Sequence, residues 1–97
     1  MGYITAVTTA AGPGDCVTLN VPPEAASIII SVSPDSANPA RIAYSEFDTT
    51  IRGRYYLLAA SAQGQHIQLS GKALADLIYV SSDTAPNATT VQMWVTS

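Results

Sequence analysis

A chain of 97 residues fits one domain with a small core, and 47% hydrophobic against only 11% charged residues leaves much of its surface uncharged. Four basic residues, Arg41, Arg52, Arg54 and Lys72, face seven acidic ones for a net charge of −3, which excludes the basic patch that nucleic-acid binding needs. No run approaches the roughly 20 apolar residues that span a bilayer, so a membrane span is excluded.

Taken in chain order, Tyr3–Thr8 reads as a first strand. The segment Met1–Val7 lacks the basic and apolar regions of a signal peptide, so the mature protein is expected to begin here. Gly12-Pro13-Gly14-Asp15 is a turn rather than a phosphate loop, because no Lys-Ser/Thr pair follows it. Cys16–Val21 alternates with a period of two, and Cys16 is expected as a small buried hydrophobe in that strand. With one cysteine in the chain, no internal disulfide can staple it.

Val21-Pro22-Pro23-Glu24 breaks the chain before Ala26–Ser33, where positions 26, 28, 30 and 32 are apolar and 27, 31 and 33 are Ser. That is the signature of a strand with one buried face. Ser33-Pro34-Asp35-Ser36-Ala37-Asn38-Pro39 is turn-forming, and strands are expected at Arg41–Phe47 and Arg54–Ala59 with the Arg52-Gly53-Arg54 turn between them. Gln63-Gly64 then leads into the alternating His66–Ser70. Gly71–Asp76 has room for one helical turn, too short to cross over between parallel strands.

The last third holds Leu77–Val80 and Val91–Thr96, joined by Ser81–Thr90 and read as a β-hairpin. About eight short strands with turn-makers between them predict an all-β fold, an antiparallel β-sandwich or jelly-roll-like barrel formed as a single domain over residues 1–97.

No reaction centre accompanies these strands. His66, the one histidine, lies opposite Ile67 and Leu69 on its strand and is expected to face solvent. One His and one Cys do not make a zinc site, and the acidic residues lack calcium-loop spacing, so neither metal nor cofactor is expected. There is no Gly-x-Ser-x-Gly elbow. Asp48-Thr49-Thr50 and Asp83-Thr84-Ala85 share only two letters with the Asp-Thr-Gly of dimeric aspartic proteases, and both lack the glycine that lets the catalytic loop approach closely. Asn87-Ala88-Thr89 matches a glycosylation sequon, but reads as turn chemistry without a secretory signal. The chain is therefore expected not to be an enzyme.

Tyr55-Tyr56-Leu57-Leu58 and Leu77-Ile78-Tyr79-Val80 are apolar at consecutive positions and present apolar groups on both strand faces. In the final strand Val91, Met93 and Val95 point inward, which turns Trp94 outward. Outward Tyr and Trp supply contact area at small entropic cost, which makes Trp94, Tyr55, Tyr79 and Tyr3 the candidate interface residues.

The order Gly53-Arg54-Tyr55-Tyr56-Leu57-Leu58, Ile67-Gln68-Leu69-Ser70-Gly71, Leu77-Ile78-Tyr79-Val80-Ser81-Ser82-Asp83-Thr84-Ala85 and Val91-Gln92-Met93-Trp94-Val95 resembles small structural proteins of tailed bacteriophage virions. The resemblance covers residues 52–96, and departs from that family where Pro86-Asn87-Ala88-Thr89 replaces a shorter Gly turn. It implies a non-enzymatic capsid decoration or cement protein, made in the host bacterial cytoplasm and placed on the virion capsid surface. Its implied partners are the major capsid protein and its own copies, as a homotrimer. Small size, absence of disulfides and weak charge suit that role over fibre or neck. The other reading of an aromatic β surface is a carbohydrate-binding or adhesin-type module of a phage fibre or tail.

Overall fold

The structure is a computed structural model that describes residues 2–9, 16–33, 38–59, 66–83 and 88–96. The turns expected at 12–15, 34–37, 63–64 and 86–87, and the sequon's Asn87, lie outside the described residues.

Eight strands follow one another: β1 (Tyr3–Thr8), β2 (Val17–Asn20), β3 (Ser27–Val32), β4 (Ala40–Ala43), β5 (Tyr56–Leu58), β6 (His66–Ser70), β7 (Leu77–Ser82) and β8 (Thr90–Thr96). They form two four-stranded antiparallel sheets, sheet A in the order β1-β8-β3-β6 and sheet B in the order β2-β7-β4-β5. Strands alternate between the sheets along the first half of the chain and again at its end. This is the jelly-roll arrangement of a β-sandwich.

The core follows from the period of two. Ile28, Ile30 and Val32 of β3 and Val91, Met93 and Val95 of β8 are all buried and face Leu19, Ile42, Leu58, Ile78 and Val80 of sheet B. One apolar cluster thus fills the space between the sheets, and every large side chain in it is aliphatic or Met.

Two expectations are corrected. β7 and β8 do not form a hairpin: β7 pairs with β2 and β4, whereas β8 pairs with β1 and β3. Each is a central strand of its own sheet, and the segment after Ser82 carries the chain from one sheet to the other across a gap of about 10 Å. Thr89 fastens that crossing, donating its N–H to Thr9 Oγ1 at 3.0 Å and its hydroxyl to the Asn38 carbonyl at 2.7 Å.

The strand expected over Arg41–Phe47 stops at Ala43, and Phe47–Thr50 forms a 3₁₀ turn instead. Its hydroxyls explain why. Ser45 Oγ accepts the Asp48 N–H, while the hydroxyls of Thr49 and Thr50 donate to the carbonyls of Glu46 and Phe47. Local side-chain bonds of this kind satisfy the backbone in place of a strand ladder. The helical turn expected after β6 is a 3₁₀ turn at Gly71–Ala73, where Gly71 takes a φ of +58° that favours glycine.

Candidate interaction surfaces

The outer face of sheet A is set by its register. Ile4 on β1 pairs with Trp94 on β8, Trp94 with Ile29 on β3, and Ile29 with Gln68 on β6, so one row crosses all four strands. The next row is Ala6, Gln92, Ser31 and His66. Toward the other end lie Thr96, Ser27 and Ser70, with Ser27 and Thr96 joined by a 2.6 Å hydroxyl bond. No Asp, Glu, Lys or Arg occupies any outward position of the four strands.

Trp94 is 48% exposed and Ile4 53%, which places a wide apolar stripe in the middle of that uncharged plane. Beside it an open hollow of about 370 Å³ is bounded by Gly2, Ile4, Trp94 and Thr96. The hollow depends on Gly2. A Cβ at this position would stand 2.5 Å from the Val95 carbonyl oxygen, so only glycine lets the start of β1 lie this close to β8.

Sheet B is organised by charge instead. Arg41 donates from Nε to Asp83 Oδ1 at 2.6 Å and from Nη1 to the Thr49 carbonyl at 3.1 Å, and its guanidinium lies 4.5 Å from the centre of the Tyr55 ring. This holds the 3₁₀ turn against the outer face of β4 and β7 and buries Thr49 completely. Asp48, in the same turn, pairs with Arg54 Nη1 at 3.6 Å. Asp48 and Asp83, each followed by Thr, are therefore both arginine partners.

Ser81 lies beside Arg41 in the register of sheet B, and its hydroxyl is buried without a hydrogen-bond partner among the described residues. Replacing a lone buried hydroxyl by a methyl removes a desolvation penalty. Ser81→Ala is expected to raise stability by about 1 kcal/mol, read as an upward shift of the urea midpoint at unchanged slope. A loss of stability would show that the hydroxyl is satisfied in solution.

The four candidate interface residues do not form one surface. Trp94 is on the outside of sheet A, whereas Tyr79 is half-buried on the outside of sheet B, in register with Thr18 and Ala43. Tyr55 is half-buried beneath Arg41, and Tyr3 pairs through its backbone with Val95, its side chain lying outside the described residues. Trp94 has Ile4 and Ile29 rather than aromatic rings as its cross-strand neighbours. Sequence reasoning missed both isoleucines as surface residues, because their role depends on register across strands remote in the chain.

Other polar groups are scattered. His66 is exposed at the end of β6, and Cys16 is half-buried rather than buried as expected, since it precedes β2 instead of lying within it. Among the described residues no three His, Cys, Asp or Glu side chains are grouped for a metal ion. No helix of the described residues is long and apolar enough to cross a membrane.

The chain is similar to several solved structures. The chain superposes on the Cupin_2 domain of an XRE-family transcriptional regulator from Enterobacter cloacae with a TM-score of 0.57 at 14% identity, over 99% of this chain and 81% of that one. A de novo designed double-stranded β-helix is matched with a TM-score of 0.46 at 15% identity, over 96% of this chain and 95% of that one. Bacillus endospore appendages, which form disulfide-linked pili, are matched with a TM-score of 0.49 at 15% identity over 98% and 84%. The first likeness supports the all-β jelly-roll architecture and bears on fold alone. No protein-family model and no curated protein sequence matches the chain.

Proposed function

We propose that the protein is a non-enzymatic structural component of a tailed-bacteriophage virion, a capsid decoration or cement subunit. It binds the major capsid protein on the outer surface of the head and stabilises the shell. The observation that carries this reading is the outer face of sheet A, a four-stranded plane without a charged residue and crossed by Ile4, Trp94 and Ile29. Large apolar side chains at the centre of a neutral, hydrogen-bonding surface are the composition of a protein contact, with Trp its natural anchor.

The virion assignment rests on the sequence resemblance of residues 52–96.

Trp94→Ala is expected to raise the dissociation constant for purified capsids about 30-fold, the loss of about 2 kcal/mol that a contact anchor carries, while the melting temperature of the free protein stays within about 3 °C. Capsids assembled without the protein should open at lower temperature and recover on its addition. Capsids of ordinary heat stability in its absence would overturn cementing, and a Trp94-dependent signal on a glycan array would replace it by the carbohydrate-binding reading.

A further inference from the structure

The two sides of the sandwich are closed differently. On one side β1 lies against β2. On the other, β6 and the three-residue β5 leave a cleft of about 120 Å³ between the sheets. It is lined by the buried Ile42 and Ile78 and by the half-buried Ile67 and Leu69 of β6. Tyr44 and Tyr56 form its lips, 54% and 46% exposed, and Arg54 stands at its mouth. The chain leaves β5 at Leu58 and enters β6 at His66, the ends of those strands away from Tyr56 and Leu69, and Leu58 lies fully buried outside the lining.

Two contacts shape the entrance. Tyr44 donates its hydroxyl to the Ala73 carbonyl at 2.6 Å, which ties the end of β4 to the turn after β6 and fixes that ring at the rim. Arg54 is held more loosely. Its Nη1 lies 3.6 Å from Asp48 Oδ1, beyond hydrogen-bond length, and its guanidinium makes no hydrogen bond among the described residues.

We infer that the cleft binds a small aryl monocarboxylate, its ring between Tyr44 and Tyr56 and its carboxylate on Arg54. Size sets the first limit. An apolar cavity of about 150 Å³ holds a benzene ring, whereas drug-sized ligands fill roughly 300 to 1,000 Å³, so this cleft takes one ring and excludes a nucleotide or a disaccharide. The lips select a flat ring, because two phenols attract a third aromatic ring face to face or edge to face. Charge sets the head group. Arg54 is the one cation among the described lining residues, and a guanidinium fork with unused donors matches a carboxylate. Asp48 beside it and the net charge of −3 weigh against a dianion such as a phosphate monoester. Trp94, Ile4 and Ile29 take no part in this site, so the inference does not rest on the virion reading.

Titration of the isotope-labelled full chain with phenylacetate, followed by NMR, is expected to give saturable shifts at Ile42, Ile67, Leu69 and Ile78. The dissociation constant should be on the order of 1 mM, as fits about ten heavy atoms in a half-open site. The neutral isostere 2-phenylacetamide should bind at least about 5-fold more weakly. Arg54→Gln should weaken phenylacetate to the level of the amide and leave the amide unchanged. The Arg54 side chain is 63% exposed, so this variant should keep the wild-type melting temperature within about 3 °C. Absence of saturable shifts up to about 20 mM, equal affinity for acid and amide, undiminished phenylacetate binding by Arg54→Gln, or shifts centred on Ile4 and Trp94 would each overturn the inference.

Discussion

Ile30→Ala is expected to remove about 3 to 4 kcal/mol of folding stability, whereas Ile29→Ala, one residue away, removes about 1 kcal/mol or less. Ile30 is fully buried, standing between Met93 on β8 and Ile67 on β6 in the inward row of sheet A. Truncating it forfeits both the transfer of its side chain from water and the packing around the hole that remains. Ile29 points to the outside of the same sheet and is half-buried against Trp94.

For a chain of 97 residues total stability is roughly 5 to 15 kcal/mol, so the first change takes a large fraction. The melting temperature should fall by about 15 to 25 °C. Thermal and urea unfolding of both variants would check the contrast. Equal costs at the two positions would mean that the face of sheet A bearing Trp94 is packed against something within the monomer.

Arg41→Met is expected to cost about 2 to 3 kcal/mol even though Met keeps much of the aliphatic stem. The side chains of Arg41 and Asp83 are 17% and 26% exposed, which places the pair between surface ion pairs, at about 0 to 1 kcal/mol, and buried ones, at about 3 to 5 kcal/mol when one partner is removed. Arg41 does more than neutralise Asp83. It also bonds the Thr49 carbonyl and stacks on Tyr55, so three contacts from three parts of the chain go at once.

Asp83→Asn removes one of the three and should cost about 1 kcal/mol. In the double variant the costs should be less than additive by about 1 kcal/mol, measured as a cycle of urea midpoints. Strict additivity would show that the 2.6 Å pair carries no coupling.

Much of the fold was legible because burial in a two-layer sandwich writes itself as a period of two. His66–Ser70 is a strand with the bounds its alternation predicts, the less regular Tyr3–Thr8 also has its expected bounds, and β3, β7 and β8 agree within two residues at each end. Trp94 was readable as an outward residue for the same reason, since Val91, Met93 and Val95 had to be inward. The 3₁₀ turn at Phe47–Thr50 was missed although Ser45, three residues before Asp48, is the side chain that starts it. There the apolar Ile42, Ala43, Tyr44 and Phe47 suggested a strand more strongly than one serine suggested a turn.

Pairing was not legible. Two neighbouring strand-like runs most often form a hairpin, and nothing local in Leu77–Val80 and Val91–Thr96 states that they belong to different sheets. The Arg41–Asp83 pair spans 42 residues and the Ile4–Trp94 pair spans 90.

The outward Trp94 was thus determined by the sequence alone, along with the all-β character and the low share of charged residues. Each follows from composition or from neighbours within a few residues. Only the tertiary structure decided that Ile4 and Ile29 flank Trp94 on a charge-free plane, that Tyr55 belongs to Arg41, and that β7 and β8 lie in different sheets. The physical reason is that strand order and register are set by how the whole set of apolar faces closes over one core, a condition that no single segment of the chain contains.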